Sequence, residues 1–270
     1  MQINARNKPI GIFDSGVGGL TVLREIEKIL PSEDIIYFGD TARVPYGNKS
    51  KSTIIKFSTE NVLFLLKRKV KMVVIACNTS SALALDYFKK NFSAPVIGVI
   101  EAGAKKAIGI SKNNRIGVIG TRSTINSGSY RKEIAKRNRN AKVYSKACPL
   151  FVPLVEEAIL SGSIVNSIVR MYLEEIKAKN VDTVILGCTH YPLLKEPISK
   201  YLKGVCIIDS AKEVAVHTKN LLDVKKLNNR AGKKGKVDFY VSDEPKGFRK
   251  LAKLFLKRDI PTPKVVDSSH

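Results

Sequence analysis

Short β-branched apolar runs alternate along this chain with stretches whose apolar residues recur every three or four positions. The runs predict strands at Ile10–Phe13, Asp34–Phe38, Met72–Ala76 and Val96–Ile100, then at Arg115–Ile119, Lys142–Lys146, Thr183–Leu186 and Val205–Asp209. The amphipathic stretches predict helices, among them Leu20–Leu30, Ser52–Lys67, Ala82–Asn91, Ser127–Lys136, Val165–Ala178 and Ala211–Leu222. Strands separated by helices of this length form βαβ units and a mostly parallel sheet, which places the chain in the α/β class. Beyond Asp209 the pattern predicts one more strand, Val237–Ser242, and a helix, Pro245–Leu256. The Lys/Asn/Gly-rich segment between Leu222 and Val237 reads as a surface loop. Pro261 and Pro263 are expected to end regular structure, with the last residues frayed.

The first four strands repeat in order at a nearly constant offset, 106 residues from Ile10 to Ile116 and 109 from Val96 to Val205. The loops repeat in kind: IGIFDSGVGG answers IGVIGTRSTI, and VIACNT answers ILGCTH. A small-residue loop follows the first strand of each half, and a cysteine follows the third. Any βα array has some chance periodicity, but the matched cysteines favour an internal duplication.

Composition changes this picture little. The chain has 270 residues, 44% hydrophobic and 26% charged, which is ordinary globular usage and excludes a disordered chain. No apolar run approaches the roughly 18 residues needed to cross a bilayer, and MQINARNKPI lacks the apolar core of a secretory signal. Four scattered cysteines make no disulfide framework. A soluble cytoplasmic protein with no membrane partner is the expectation. The net charge of +23 invites a polyanion partner. Its two densest windows, Arg131–Lys142 and Lys225–Lys236, carry no aromatic to stack bases, so the charge reads as solvated surface and nucleic acid is disfavoured.

In open parallel sheets, ligands bind beyond the carboxyl ends of the strands. Cys77 and Cys188 both lie there, followed by Asn78–Thr79 and Thr189–His190. A helix is expected to start just after Cys77, with Thr79 and Ser80 as candidate caps. A thiol at a helix N-terminus is biased towards thiolate, and the free NH groups beside it accept carboxylates. If the two halves face each other, one thiolate can take a proton from a substrate carbon while the opposite thiol delivers another to the far face, inverting the centre. Asp14, His190 and Glu156 are placed to tune the thiols. Each also has a plain reading: a turn cap, a satisfied loop imidazole and ordinary helix surface. Cys148 and Cys206 lie within apolar runs and read as core. DSGVGGLT has Thr21 where a dinucleotide fingerprint needs glycine and lacks the lysine of a phosphate loop. No CxxC pair supports zinc, the Cys188-x-His190 pair is a weak metal signal, and nothing marks a Schiff-base lysine.

FDSGVGGL (13–20), YFGDTARVPY (37–46), ACNTSSA (76–82), GVIGTRSTINSGSY (117–130), VPLVE (152–156) and GCTHYPLL (187–194) occur in one order over roughly residues 8–223. In that order they resemble the glutamate racemases of the aspartate/glutamate racemase superfamily, and the tail from Phe239 to Leu256 resembles that family's C-terminus. Related aspartate racemases usually carry an acidic residue where His190 stands. The resemblance implies a cofactor-independent enzyme, without metal, built as two pseudo-symmetric α/β domains with the active site in the cleft. Their expected bounds are 1–101 plus 209–270 and 102–208. It also implies that Cys77 acts on D-glutamate, assisted by Asp14, and Cys188 on L-glutamate, assisted by His190 and Glu156. Asp14, Ser15, Tyr46, Gly47, Asn78, Thr79, Thr189 and His190 would bind the amino acid, with Thr121 and Thr124 contributing. The family supplies D-glutamate for peptidoglycan in the bacterial cytoplasm, and a homodimer is expected.

Overall fold

A computed structural model describes residues 5–229 and 232–266. β1 (Ile10–Asp14) leads to α1 (Leu20–Ile29), β2 (Ile35–Gly39) to α2 (Lys51–Lys67), and β3 (Met72–Ile75) to α3 (Asn78–Asn91). β4 (Val96–Gly98) runs directly into α4 (Val99–Ile110). β5 (Arg115–Gly120) is followed by α5 (Arg122–Asn126) and α6 (Ser129–Arg137), and β6 (Lys142–Ala147) by α7 (Phe151–Glu156) and α8 (Ser163–Ala178). Next come β7 (Thr183–Gly187), α9 (Lys195–Tyr201), β8 (Cys206–Asp209) and α10 (Ser210–Val224). β9 (Val237–Val241), α11 (Pro245–Leu256) and β10 (Lys264–Val265) complete the chain.

Among the described residues the strands form two sheets, β10-β9-β2-β1-β3-β4 and β6-β5-β7-β8, and every pair is parallel. The order 2-1-3-4 of the first four strands recurs in the second sheet as 6-5-7-8. The α/β class and the repeat seen in the sequence therefore both appear in the topology. In β1 and β3 both faces are covered, so every residue is buried and the strands read as continuous apolar runs. Their side chains alternate between two cores. Ile10, Ile12, Met72 and Val74 join the large core that continues into the second sheet. Phe13, Val73 and Ile75 face α2 and α3 on the other side.

Four expectations need correction. The run Val96–Ile100 is extended only to Gly98; Val99 opens α4, because the small residues Ala102, Gly103, Ala104 and Ala107 pack a helix closely and Ser81 Oγ accepts the Val99 N–H. Residues 101 and 102 therefore lie within one helix. The helix expected at Ser127–Lys136 starts at Ser129, because Gly128 takes a left-handed conformation (φ 65°) that separates it from a short helix, Arg122–Asn126, which the pattern did not predict. Pro261 and Pro263 do not end regular structure, because Lys264 and Val265 pair with Tyr240 and Val241; the terminal fraying concerns residues outside those described. Cys206 is exposed rather than core, because β8 is an edge strand and turns that side chain outward. Cys148 is buried, as expected. Of the loop between Leu222 and Val237, Arg230 and Ala231 lie outside the described residues.

Candidate active site

Cys77 follows β3 by two residues and is itself the N-cap of α3, with extended backbone and its carbonyl accepting the Ser81 N–H. Thr79 and Ser80, expected as caps, are instead inside the first turn. Cys188 follows β7 directly and precedes a 3-10 turn, Tyr191–Leu194. The two cysteines come from equivalent strands of the two sheets and line one cavity of about 230 Å³. Ser15, Tyr46, Gly47, Asn78, Thr79, Thr121, Glu156, Thr189 and His190 line it with them. Asp14 and Thr124, also expected at the site, do not reach its wall; each stands one layer behind.

Asp14 ends β1 and is fully buried, because the Gly16–Gly19 turn folds over it. Its Oδ2 accepts the Gly16 N–H at 3.0 Å and its Oδ1 accepts the Thr189 hydroxyl at 3.5 Å. Burial raises its pKa, against the opposing charge of His190 and the donors from Gly16, Gly19 and Thr189. Burial also pushes the Cys77 thiol up to about 11, and the charge of Asp14 adds to this. The Ser80 donors and the Ser15 hydroxyl, whose oxygen lies 3.7 Å from the sulfur, pull the other way. Cys77 is thus a protonated thiol at neutral pH.

The Cys188 side is built differently. His190 Nε2 lies 3.1 Å from Glu156 Oε1, and Nδ1 lies 4.0 Å from Cys188 Sγ. Phe255 of α11 packs edge-on against the imidazole at 5.6 Å, so the C-terminal helix holds the ring's orientation. Burial works to lower the His190 pKa, but the hydrogen bonds and charges of Cys188 and Glu156 outweigh it and raise it to about 10. The site therefore sets an imidazolium beside one sulfur and the buried carboxyl group of Asp14 near the other.

Hydroxyls close the floor between the sheets. Thr79, Thr121 and Thr124 form a triangle with edges of 2.9–3.2 Å. Ser123 donates to the carbonyl of Gly47 at 2.8 Å. A Cβ on Gly47 would meet the Thr121 side chain at 2.7 Å, so a side chain there would separate the two loops. Tyr46 lines the cavity with its ring, while its hydroxyl is held by Asp40 and accepts from Asn61 Nδ2 at 3.2 Å.

Arg122 and an apolar wall of Val44, Pro45, Val152 and Pro153 also line the cavity, beyond the residues expected there. Arg122 stands within GTRSTI and Val152 opens VPLVE, so the motifs were visible although these residues were not singled out. Arg122 joins the His190 imidazolium as a second basic residue among those lining the cavity. No group of three or more His, Cys, Asp or Glu among the described residues is arranged to hold a metal. No helix among them is long and apolar enough to cross a membrane.

The sequence profile of the Asp/Glu/hydantoin racemase family matches residues 10–218. The chain is 50% identical to a glutamate racemase of Aquifex aeolicus, over 95% of this chain and 96% of that protein. It is 49% identical to one of Persephonella marina at the same coverage. The crystal structure of glutamate racemase from Francisella tularensis in complex with D-glutamate superposes with a TM-score of 0.92 at 44% identity, over 98% of this chain and 99% of that one. The chain is a racemase, an isomerase of the Asp/Glu/hydantoin racemase family, grouped with that family's glutamate racemases.

Proposed function

We propose that this racemase interconverts L- and D-glutamate without a cofactor, using Cys77 and Cys188 as two acid/base thiols on opposite faces of the α-carbon. The observation that carries the reading is the shared cavity, which receives one cysteine from the carboxyl end of β3 and its counterpart from β7. Its volume suits a small metabolite rather than a drug-sized ligand. The α-carboxylate sits at the start of α3, where Asn78 and Thr79 line the cavity and the helix N-terminus favours an anion. Ser15, Tyr46, Gly47, Thr121, Thr189 and His190 make the remaining contacts, with Asp14 and Thr124 acting from behind them.

Removing the α-proton places negative charge next to a group that is already anionic. Donors fixed in a largely water-free site stabilise that charge as it develops. Cys77 takes the proton of D-glutamate with Asp14 as its partner. Cys188 takes that of L-glutamate with His190 and Glu156 as its partners. In each direction the opposite thiol returns a proton. The two lobes, residues 1–101 with 209–270 and residues 102–208, close around the substrate to bring both sulfurs into reach. The role is supply of D-glutamate for peptidoglycan in a bacterial cytoplasm, and the working form is a homodimer.

The test is incubation of L-glutamate with the enzyme in D2O, following optical activity and Cα deuteration together, with aspartate as the comparison substrate. Loss of optical rotation with deuterium uptake from glutamate alone supports the reading. Racemisation of aspartate instead, or full activity in both Cys77→Ala and Cys188→Ala, overturns it.

A further inference from the structure

Tyr130 lies outside the residues given a role above, yet its hydroxyl is wired into the cavity wall. It sits on α6, beside the second sheet, and is buried. Its Oη donates to Asn78 Oδ1 at 2.8 Å and lies 3.2 Å from Ser210 Oγ. A phenol has a single proton. With that proton committed to the Asn78 carbonyl, the Ser210 hydroxyl must donate to Oη. Burial holds the phenol well above its ordinary pKa, so it remains a donor. The result is a directed chain from Ser210 through Tyr130 to Asn78.

We propose that Tyr130 is a positioning residue that fixes the carboxamide of Asn78 with its NH2 towards the substrate carboxylate, and that ties this orientation to the joint between the two sheets. This rests on the function proposed above. Asn78 opens α3 next to Cys77 and lines the cavity. Its Oδ1 is taken by Tyr130, and no group among the described residues accepts from Nδ2. The amide end left for the cavity is therefore the donor end, the one an anion requires. Turned over, the same side chain would set a carbonyl oxygen against the carboxylate.

The ring of Tyr130 is fixed as closely as its hydroxyl. A Cβ on Gly187, the last residue of β7, would come within 3.1 Å of Tyr130 Cε2, and one on Gly103 of α4 within 3.6 Å of Cε1. Both glycines leave the space the ring fills. Gly103 and Ser210 belong to α4 and α10, the two helices through which the chain passes between the sheets, and these helices pack on each other. Separating the lobes withdraws Tyr130 or Ser210 and releases the amide. The carboxylate site is thus set only when the joint is closed.

The experiment is a double-mutant cycle on kcat/KM for glutamate with Tyr130→Phe and Asn78→Ala. Tyr130→Phe keeps the ring and removes the one hydrogen bond that holds the amide. Its expected effect is a fall on the order of tenfold, the scale of one hydrogen bond, carried mainly by KM. In the Asn78→Ala background the same substitution should change kcat/KM by less than about twofold, because there is no amide left to orient. Ser210→Ala supplies a second variant, with a smaller loss that also vanishes in that background. Thermal unfolding of each variant checks that the fold is kept. Wild-type kcat/KM in Tyr130→Phe and Ser210→Ala, or equal losses with and without Asn78, overturns the role. Absence of glutamate racemisation by the wild-type enzyme overturns the reading beneath it instead, so the two failures are distinct.

Discussion

His190 and Glu156 face each other across 3.1 Å, and only the histidine is buried; the glutamate is 40% exposed at its side chain. A carboxylate at the cavity edge therefore helps keep a positive charge inside it. Glu156→Gln removes that charge and should lower the His190 pKa from about 10 by about one unit or more. The titration of the His190 ring protons by NMR measures this directly. Racemisation at pH 8–9 should fall in parallel, and an unshifted His190 titration would separate Glu156 from the site's electrostatics.

The same raised pKa makes folding stability depend on pH. The folded state holds His190 at about 10 against an ordinary value of 6.5, so this stabilisation is complete below pH 6.5 and is lost as pH rises through 10. Cys77, raised from 9.0 to about 11, acts in the same direction, since the unfolded chain ionises its thiol first as pH climbs above 9. Urea midpoints should fall steadily between pH 7 and pH 10. In Cys77→Ala and His190→Gln the decline should be shallower.

Much of this was legible beforehand, and particular residues show where it stopped. The matched placement of Cys77 and Cys188 could be read because fully buried parallel strands appear as apolar runs with a defined end. α4 could not, because VIGVI is as good a strand as it is a helix start, and only packing against α10 decides between them. Asp14 was expected on the cavity wall, but a glycine-rich turn can fold over its own carboxylate, and spacing does not reveal that. Tyr130 closed a recognised motif, yet its link to Asn78, 52 residues away, exists only in the folded chain.

Cys77 should be a slow thiol. With its pKa pushed up to about 11, its alkylation by iodoacetamide should rise about tenfold per pH unit from pH 7 to 10 without levelling off. Mass spectrometry of the Cys77 peptide gives the rate. A plateau near pH 8 would mean that the thiolate is stabilised in the free enzyme.

Each thiol alone should still exchange one enantiomer. In D2O, Cys77→Ala should deuterate L-glutamate slowly at Cα, through Cys188, while D-glutamate keeps its proton; Cys188→Ala should show the reverse. Neither variant should racemise at more than a trace of the wild-type rate. NMR of the Cα–H signal with chiral chromatography distinguishes the outcomes, and equal exchange of both enantiomers by either variant would contradict the assignment of faces.

Gly18 should not tolerate a side chain. A Cβ there would overlap Thr189 Oγ1 and the imidazole of His190. Gly18→Ala must displace the loop after β1 or the loop that carries Cys188 and His190. A shift near 1 Å at the reacting groups costs on the order of a hundredfold in rate. The expected result is a folded protein, by circular dichroism and thermal melt, with kcat reduced by about that factor.

Stability should depend on one ion pair far from the cavity. Lys71 and Glu33 are nearly sealed from water, with side-chain exposures of 1% and 3%. Lys71 Nζ also donates to the carbonyls of Arg6 and Leu227 at 2.8 and 2.9 Å, and Glu33 Oε1 accepts the Asn229 N–H. The pair thus pins the segment at Arg6 and the segment after α10 to the amino end of the first sheet. Lys71→Met leaves the carboxylate buried without its cation and should cost about 3 kcal/mol. The cost should appear as a lower urea midpoint in the variant. At temperatures where both proteins are folded, glutamate turnover should stay close to wild type, because the pair lies at the end of the strands opposite Cys77 and Cys188.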